Sequence, residues 1–97
     1  MTLKDYQTSL TAGTLYRVAK KNGGSEQMVP SLEIIGGAVA IYGSQTLPAS
    51  PPTGMYQTVS GFTGIAPFAM VPSFLYIVGS PTSILASGLD VVANPAG

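Results

Sequence analysis

The chain has 97 residues and carries few charges, with four basic and four acidic side chains making up 8% of the residues against about 25% in an average soluble domain. Its length is that of a single domain. It contains no His, Cys or Trp, so it has no disulfide, no thiolate nucleophile and no imidazole base. We therefore expect no enzyme activity, no catalytic residues, no cofactor and no metal site.

The charges are concentrated at the beginning of the chain. All of them lie at or before Glu33, apart from Asp90, and the formal net charge is zero. The one pair of adjacent basic residues, Lys20-Lys21, comes just before the turn-forming sequence Asn22-Gly23-Gly24. Because a nucleic-acid-binding protein needs a basic stripe to neutralise phosphates, we expect no nucleic acid partner.

Membrane insertion is also not expected. The longest apolar run, residues 34–42, is about half of the ~20 residues that a spanning helix needs. The first five residues, Met1 to Asp5, lack the apolar core of a signal peptide. The sequence therefore predicts synthesis in the host cytoplasm without a signal peptide, and no membrane partner.

Residues 1–13 differ in pattern from the rest of the chain. Leu3, Tyr6 and Leu10 are spaced at i, i+3 and i+7, which places them on one face of a helix. Gly13 is a typical residue at a helix end. We expect residues 1–13 to form an N-terminal arm or a short helix whose apolar side chains contact a neighbouring molecule.

From Thr14 onward the pattern is typical of β-structure. Asn22-Gly23 is a strong hairpin signal, and it predicts that a first strand turns back through residues 28–35. Gly36-Gly37 predicts a break before the next strand, 38–42. A Pro-rich loop follows, and residues 61–72 fit neither a strand nor a simple loop. The remaining predicted strands are 55–60, 73–78, 83–86 and 89–93.

The turn signals recur every eight to twelve residues or so, as in small β-domains. The sequence therefore predicts an all-β fold, namely a small antiparallel β-sandwich or barrel of six to eight strands. We expect this domain to cover residues 14–93, with a C-terminal tail at 94–97.

Two of the predicted strands are apolar on both faces. Residues 38–42 and 74–78 carry no charged or strongly polar side chain on either side, whereas a strand with one face in water normally alternates. Exposed apolar patches commonly mark interaction sites. We therefore expect a homo-oligomer, with ordinary core packing as the alternative for each residue. The candidates for self-association or core packing are Tyr42, Phe74, Leu75, Tyr76 and Ile77.

Three segments resemble a class of known proteins. The run Gly36–Ser44, the Pro/Ser loop Leu47–Thr53 and the uncharged strand and turn Phe74–Thr82 are similar to small β-rich structural proteins of bacteriophage virions, especially head decoration (cement) proteins. The resemblance implies a non-enzymatic structural protein on the capsid surface of the virion. It also implies that the protein, often as a trimer, binds the major capsid protein and stabilises the head.

Two other interpretations remain open. One is a neck, tail or fibre component of a phage virion. The other is a small carbohydrate-binding β-sandwich module, in which Tyr16, Tyr42, Tyr56 or Tyr76 would stack on a sugar. The lack of Trp and the scarcity of acidic side chains count against this module, since saccharide sites combine aromatic faces with well-placed polar groups.

Overall fold

The structure, a computed structural model, describes residues 7–20, 30–68 and 70–94, and these residues form seven β-strands and no helix. All the strand pairings are antiparallel. The predicted all-β fold is therefore confirmed. The strands are β1 (Gln7–Leu10), β2 (Tyr16–Lys20), β3 (Ser31–Ser44), β4 (Tyr56–Pro67), β5 (Phe74–Gly79), β6 (Ser83–Ser87) and β7 (Leu89–Ala93).

The 14-residue strand β3 is the centre of the sheet. It pairs with β4 along one side. On the other side its second half pairs with β5, where Val39 is opposite Gly79, and its first half pairs with β6, where Ile35 is opposite Ser83. The register is the same in both halves, so β5 and β6 follow one another along β3 like a single interrupted strand.

The remaining strands close the sheet into a nearly complete barrel. Strand β1 pairs with β6, while β2 pairs with both β5 and β7. The order is thus β1-β6-β3-β5-β2-β7, with β4 attached to β3 outside this path. The end strands β1 and β7 lie in contact with each other. Closure of this kind leaves fewer unpaired edges than an open sheet does.

One apolar core fills the inside of the barrel. The buried residues alternate along β2, β3, β5 and β6, as the two-residue period of a strand requires, whereas β4 contributes only partly buried side chains. Removing a large aliphatic side chain from water stabilises the fold by roughly 1.5–3 kcal/mol, and the core is therefore the main source of stability. The largest fully buried side chains are Leu32, Ile34, Ile41, Leu75, Ile77, Ile84 and Leu89.

Residues 7–10 form strand β1 in place of the helical turn that the spacing of apolar residues favoured. Gln7 to Leu10 pair with Ser87 to Ile84 of β6, and the Leu10 side chain is buried in the core. A short isolated helix is only marginally stable in water, so pairing and burial outweigh its weak apolar spacing. The strand belongs to the same sheet as the residues after Thr14. Leu3 and Tyr6 lie outside the described residues.

Among the described residues, the predicted hairpin between residues 14–19 and 28–35 forms no ladder. Strand β2 pairs with β5 and β7, whereas β3 pairs with β4, β5 and β6. The Asn22-Gly23 turn signal lies outside the described residues. A turn signal reports a local preference, and here the pairing partners are set by long-range contacts that bury the core.

The predicted break at Gly36-Gly37 is wrong, because β3 runs through both glycines as one strand. Gly36 has a φ of 77°, which glycine adopts without strain. Between Ile34 and Val39 the register with β4 shifts, so the extra residues form a β-bulge. The amide of Thr82 donates to the carbonyl of Ile35 at 2.8 Å and keeps β3 close to the β5–β6 connection.

Strand β4 extends through the ambiguous segment that begins at residue 61. It continues to Pro67 despite positive φ angles at Gly61 and Gly64. Two threonine hydroxyls bond to β3 where the ladder is irregular: Thr58 Oγ1 donates to the Ile41 carbonyl at 3.0 Å, and Thr63 Oγ1 donates to the Ile34 carbonyl at 3.2 Å. These hydroxyls satisfy carbonyl groups at the register shifts.

We predict that Gly36→Ala is more destabilising than Gly13→Ala. Both glycines have positive φ, which costs another residue about 1–2 kcal/mol, but a Cβ at Gly13 would meet open space while one at Gly36 would meet the Thr82 side chain. The clash adds about 1–3 kcal/mol. Urea denaturation of the two variants measures the difference, and equal losses in the free energy of unfolding would contradict this account of the bulge.

Candidate interaction face

The outer surface of β3 and β5 carries a group of apolar side chains that we call the outer patch: Tyr42, Phe74, Tyr76 and Val78. Tyr42 and Tyr76 are direct cross-strand partners, and Val78 lies opposite Ala40. Directly paired residues point to the same face of a sheet, and aromatic pairs at such positions stabilise each other. The two tyrosines therefore form the centre of the patch.

The burial of neighbouring residues alternates along β5. Leu75 and Ile77 are 0% exposed, Phe74 and Tyr76 are half-buried, and Val78 is 42% exposed. Leu75 and Ile77 thus belong to the core, whereas the other three face outward. Of the two apolar faces of this strand, one therefore lies in the core and the other on the surface.

Polar side chains lie at the borders of the outer patch. Arg17 of β2 is exposed and lies directly opposite Phe74, and on its other side it pairs with Val92 of β7. On the β4 side, Gln57 Nε2 lies 3.5 Å from the Tyr42 hydroxyl. Protein interfaces are enriched in aromatic residues and arginine and depleted of other charges at their centre, and the outer patch has this composition.

A shallow depression adjoins the Arg17 border. It has a volume of about 300 Å³. Two charged side chains, Arg17 and Asp90, line it. The lining residues are Arg17, Val18, Ala19, Ser73, Asp90 and Val92.

The residues singled out from the sequence separate into three groups. Tyr42, Phe74 and Tyr76 come together on the outer patch. Leu10, Leu75 and Ile77 are in the core. Leu3 and Tyr6 lie outside the described residues.

Two members of this surface were missed by the sequence reasoning. Val78 follows Phe74 and Tyr76 with the two-residue period of a strand, so alternation alone could have added it. Arg17 could not have been found in this way, because its place opposite Phe74 depends on the pairing of β2 with β5, two strands far apart in the chain.

One of the proposed sugar-stacking tyrosines is not at the surface. Tyr16 is only 7% exposed, and its hydroxyl accepts a hydrogen bond from the Thr11 amide at 2.7 Å. Tyr56, in contrast, is 50% exposed at the start of β4. The tyrosines available for stacking are therefore Tyr42, Tyr56 and Tyr76.

Other kinds of site are not apparent in the described ranges 7–20, 30–68 and 70–94. Those residues contain no group of three or more His, Cys, Asp or Glu side chains placed to hold a metal ion. They also contain no helix long and apolar enough to cross a membrane. Comparison of the chain with protein-family models, curated proteins and solved structures finds no match. The outer patch is therefore interpreted from its own geometry.

The two faces of β5 predict different responses to truncation. Ile77→Ala removes a fully buried side chain and leaves a cavity, and we expect it to lower the free energy of unfolding by about 2–5 kcal/mol. Val78→Ala removes an exposed side chain and should cost less than about 1 kcal/mol. Denaturant titration of both variants compares adjacent positions in one strand. Similar losses would show that the outer face is as enclosed as the core.

Proposed function

We propose that this protein is a non-enzymatic structural protein of a phage virion, a head decoration protein that binds the capsid through its outer patch. The observation that supports this proposal is the Tyr42–Tyr76 pair on the outer surface of β3 and β5, extended by Phe74 and Val78. Its composition is that of a surface buried against another protein.

The physical basis of binding is the removal of apolar surface from water. Such burial yields about 25 cal/mol per Å² before the costs of association are subtracted. Aromatic side chains at the centre of an interface commonly supply most of the binding energy. No charge would have to be desolvated at the centre of the patch, and Arg17 would remain at its border as a polar contact.

The partner in this proposal is the major capsid protein. A capsid presents the same surface many times, so a small patch on each bound copy contributes to a large number of equivalent contacts. The resemblance adds a location on the capsid surface, where such proteins often sit as trimers, and stabilisation of the head. A neck, tail or fibre position would use the same surface against a different virion subunit.

The carbohydrate-binding alternative rests on the exposed and half-buried tyrosines. Tyr42 and Tyr76 offer adjacent rings, and Gln57 is close to the Tyr42 hydroxyl. A sugar site needs several directed hydrogen bonds around the aromatic platform. The outer patch offers mainly apolar side chains, so we favour a protein partner.

Co-sedimentation with purified virions of the virus that encodes the chain tests this proposal. We expect the protein to sediment with particles, and Val78→Lys, which places a charge in the outer patch, to weaken binding by at least about tenfold. The matched control is Leu47→Lys, which adds the same charge at an exposed position in the loop between β3 and β4. It should bind like the unmodified protein.

Three results would speak against the proposal. Failure of the unmodified protein to sediment with particles would refute a virion role. Equal loss in the two lysine variants would show that charge, and not the outer patch, controls binding. Saturable binding of a glycan by the protein, abolished by Tyr76→Ser, would instead favour the carbohydrate module.

A further inference from the structure

Strand β4 has one paired edge and one that is free within the described residues. It is 12 residues long and pairs with β3 along its length, with register shifts, and no other strand of the described ranges joins it. The other backbone hydrogen bonds found there do not involve residues 56–67. A row of backbone donors and acceptors is therefore available along the outer side of β4.

The orientation of the backbone identifies which amides face this free edge. The Phe68 amide donates to the Pro30 carbonyl at 2.8 Å, so it points toward β3. Amides of an antiparallel strand alternate in direction, and Ala66 therefore also faces β3, while Ile65 faces the free edge. Pro67, two residues after Ile65, is at a position where an amide would also point to the free edge. Proline, which has no amide proton, is tolerated in strands where that proton would not join the ladder.

The edge carries few of the features that normally prevent strand pairing. Edge strands are usually protected by Lys, Pro, bulges or short length. Strand β4 has no charged residue, its only proline is at its last position, and Ile65 is 64% exposed. The protective features present are the irregularities near Gly61 and Gly64 and Pro67 at the end of the strand.

We propose that two copies of this chain associate by pairing β4 with β4 in antiparallel orientation about a two-fold axis. A strand related to itself by a two-fold axis perpendicular to it is antiparallel, so one self-complementary contact closes the dimer. The absence of charge from residues 56–67 removes the like-charge repulsion that self-pairing often produces. In a symmetric antiparallel pair the residue on the axis lies opposite its own copy, so near-full overlap of β4 (Tyr56–Pro67) places Gly61 or Phe62 on the axis and Ser60 within two residues of it.

The dimensions of the edge indicate a weak dimer. A 12-residue strand is about 40 Å long, close to the longest dimension of the molecule, 38 Å. With a sheet thickness of about 10 Å, the contact would bury about 400 Å² on each copy, or about 800 Å² in total. Stable interfaces bury about 1,200–2,000 Å². We therefore expect monomers at micromolar concentration and dimers toward millimolar concentration.

This inference does not depend on the proposed function. The β4 edge includes no residue of the outer patch, so the pairing can succeed or fail whether or not the protein binds a virion. If both surfaces act, copies held side by side on a particle would experience a high effective concentration. Weak edge contacts would then become significant.

Amide hydrogen exchange of the unmodified protein tests the pairing directly. Between about 20 μM and 1 mM, protection of the Ile65 amide should rise by at least about tenfold, because in the dimer it gains a backbone partner. The Phe68 amide, which already bonds to Pro30, should be protected at both concentrations. Sedimentation equilibrium on the same samples should show the change from monomer to dimer.

Two lysine variants then locate the contact. Ser60→Lys places two like charges near the two-fold axis and should raise the dimer dissociation constant by about tenfold, with partial recovery in 1 M NaCl because salt screens the repulsion. Ser80→Lys makes the same change at an exposed residue of the β5–β6 turn and should change that constant by less than about twofold.

The proposal would be overturned by either of two outcomes. If the protein stays monomeric at 1 mM and the protection of the Ile65 amide does not change with concentration, β4 does not pair with a second copy. If that amide is protected at every concentration, another segment of the same chain covers the β4 edge. A dimer that forms without added Ile65 protection and is insensitive to Ser60→Lys uses a different surface.

Discussion

The fold depends on the constraint that β3 places on its neighbours. This 14-residue strand is paired along both of its sides: β4 takes one side, and β5 and β6 take the other in a single register. Because this register is constant, the interruption between β5 and β6 falls opposite the glycines of β3. The positive φ of Gly36 lets the central strand bend there, between its two paired halves, and the sheet can curl toward closure.

The same register determines which side chains are available to a partner. Ile41 lies opposite Ile77 inside the barrel, and Tyr42 lies opposite Tyr76 outside it. A shift of one residue would exchange the two sets and place the tyrosines in the core. The outer patch is thus a consequence of core packing: filling the inside with Ile and Leu fixes the aromatic residues on the outside, where their apolar rings remain partly exposed.

Much of the strand content could be predicted from the sequence, because β5 and β7 have strong β-forming residues and clear turns at their ends. The pairing could not. The Asn22-Gly23 signal favoured a hairpin, but β2 pairs with β5 and β7, and such contacts between distant segments leave no local signal. The candidate site shows the same limit, since alternation places Tyr76 and Ile77 on opposite faces of the strand, but only the fold shows that Ile77 faces the core and Tyr76 the surface.

The scarcity of charge after Glu33 affects two surfaces, the outer patch and the free edge of β4, in different ways. On the outer patch it removes the desolvation cost of binding through apolar contacts, whereas along β4 it leaves backbone groups open to pairing. A lysine in either place would protect the monomer and would also weaken the contact. Because an edge contact of about 800 Å² is too small to hold a free dimer tightly, a chain of this kind can remain monomeric when dilute. It would then associate where a second surface, such as the outer patch, brings copies together.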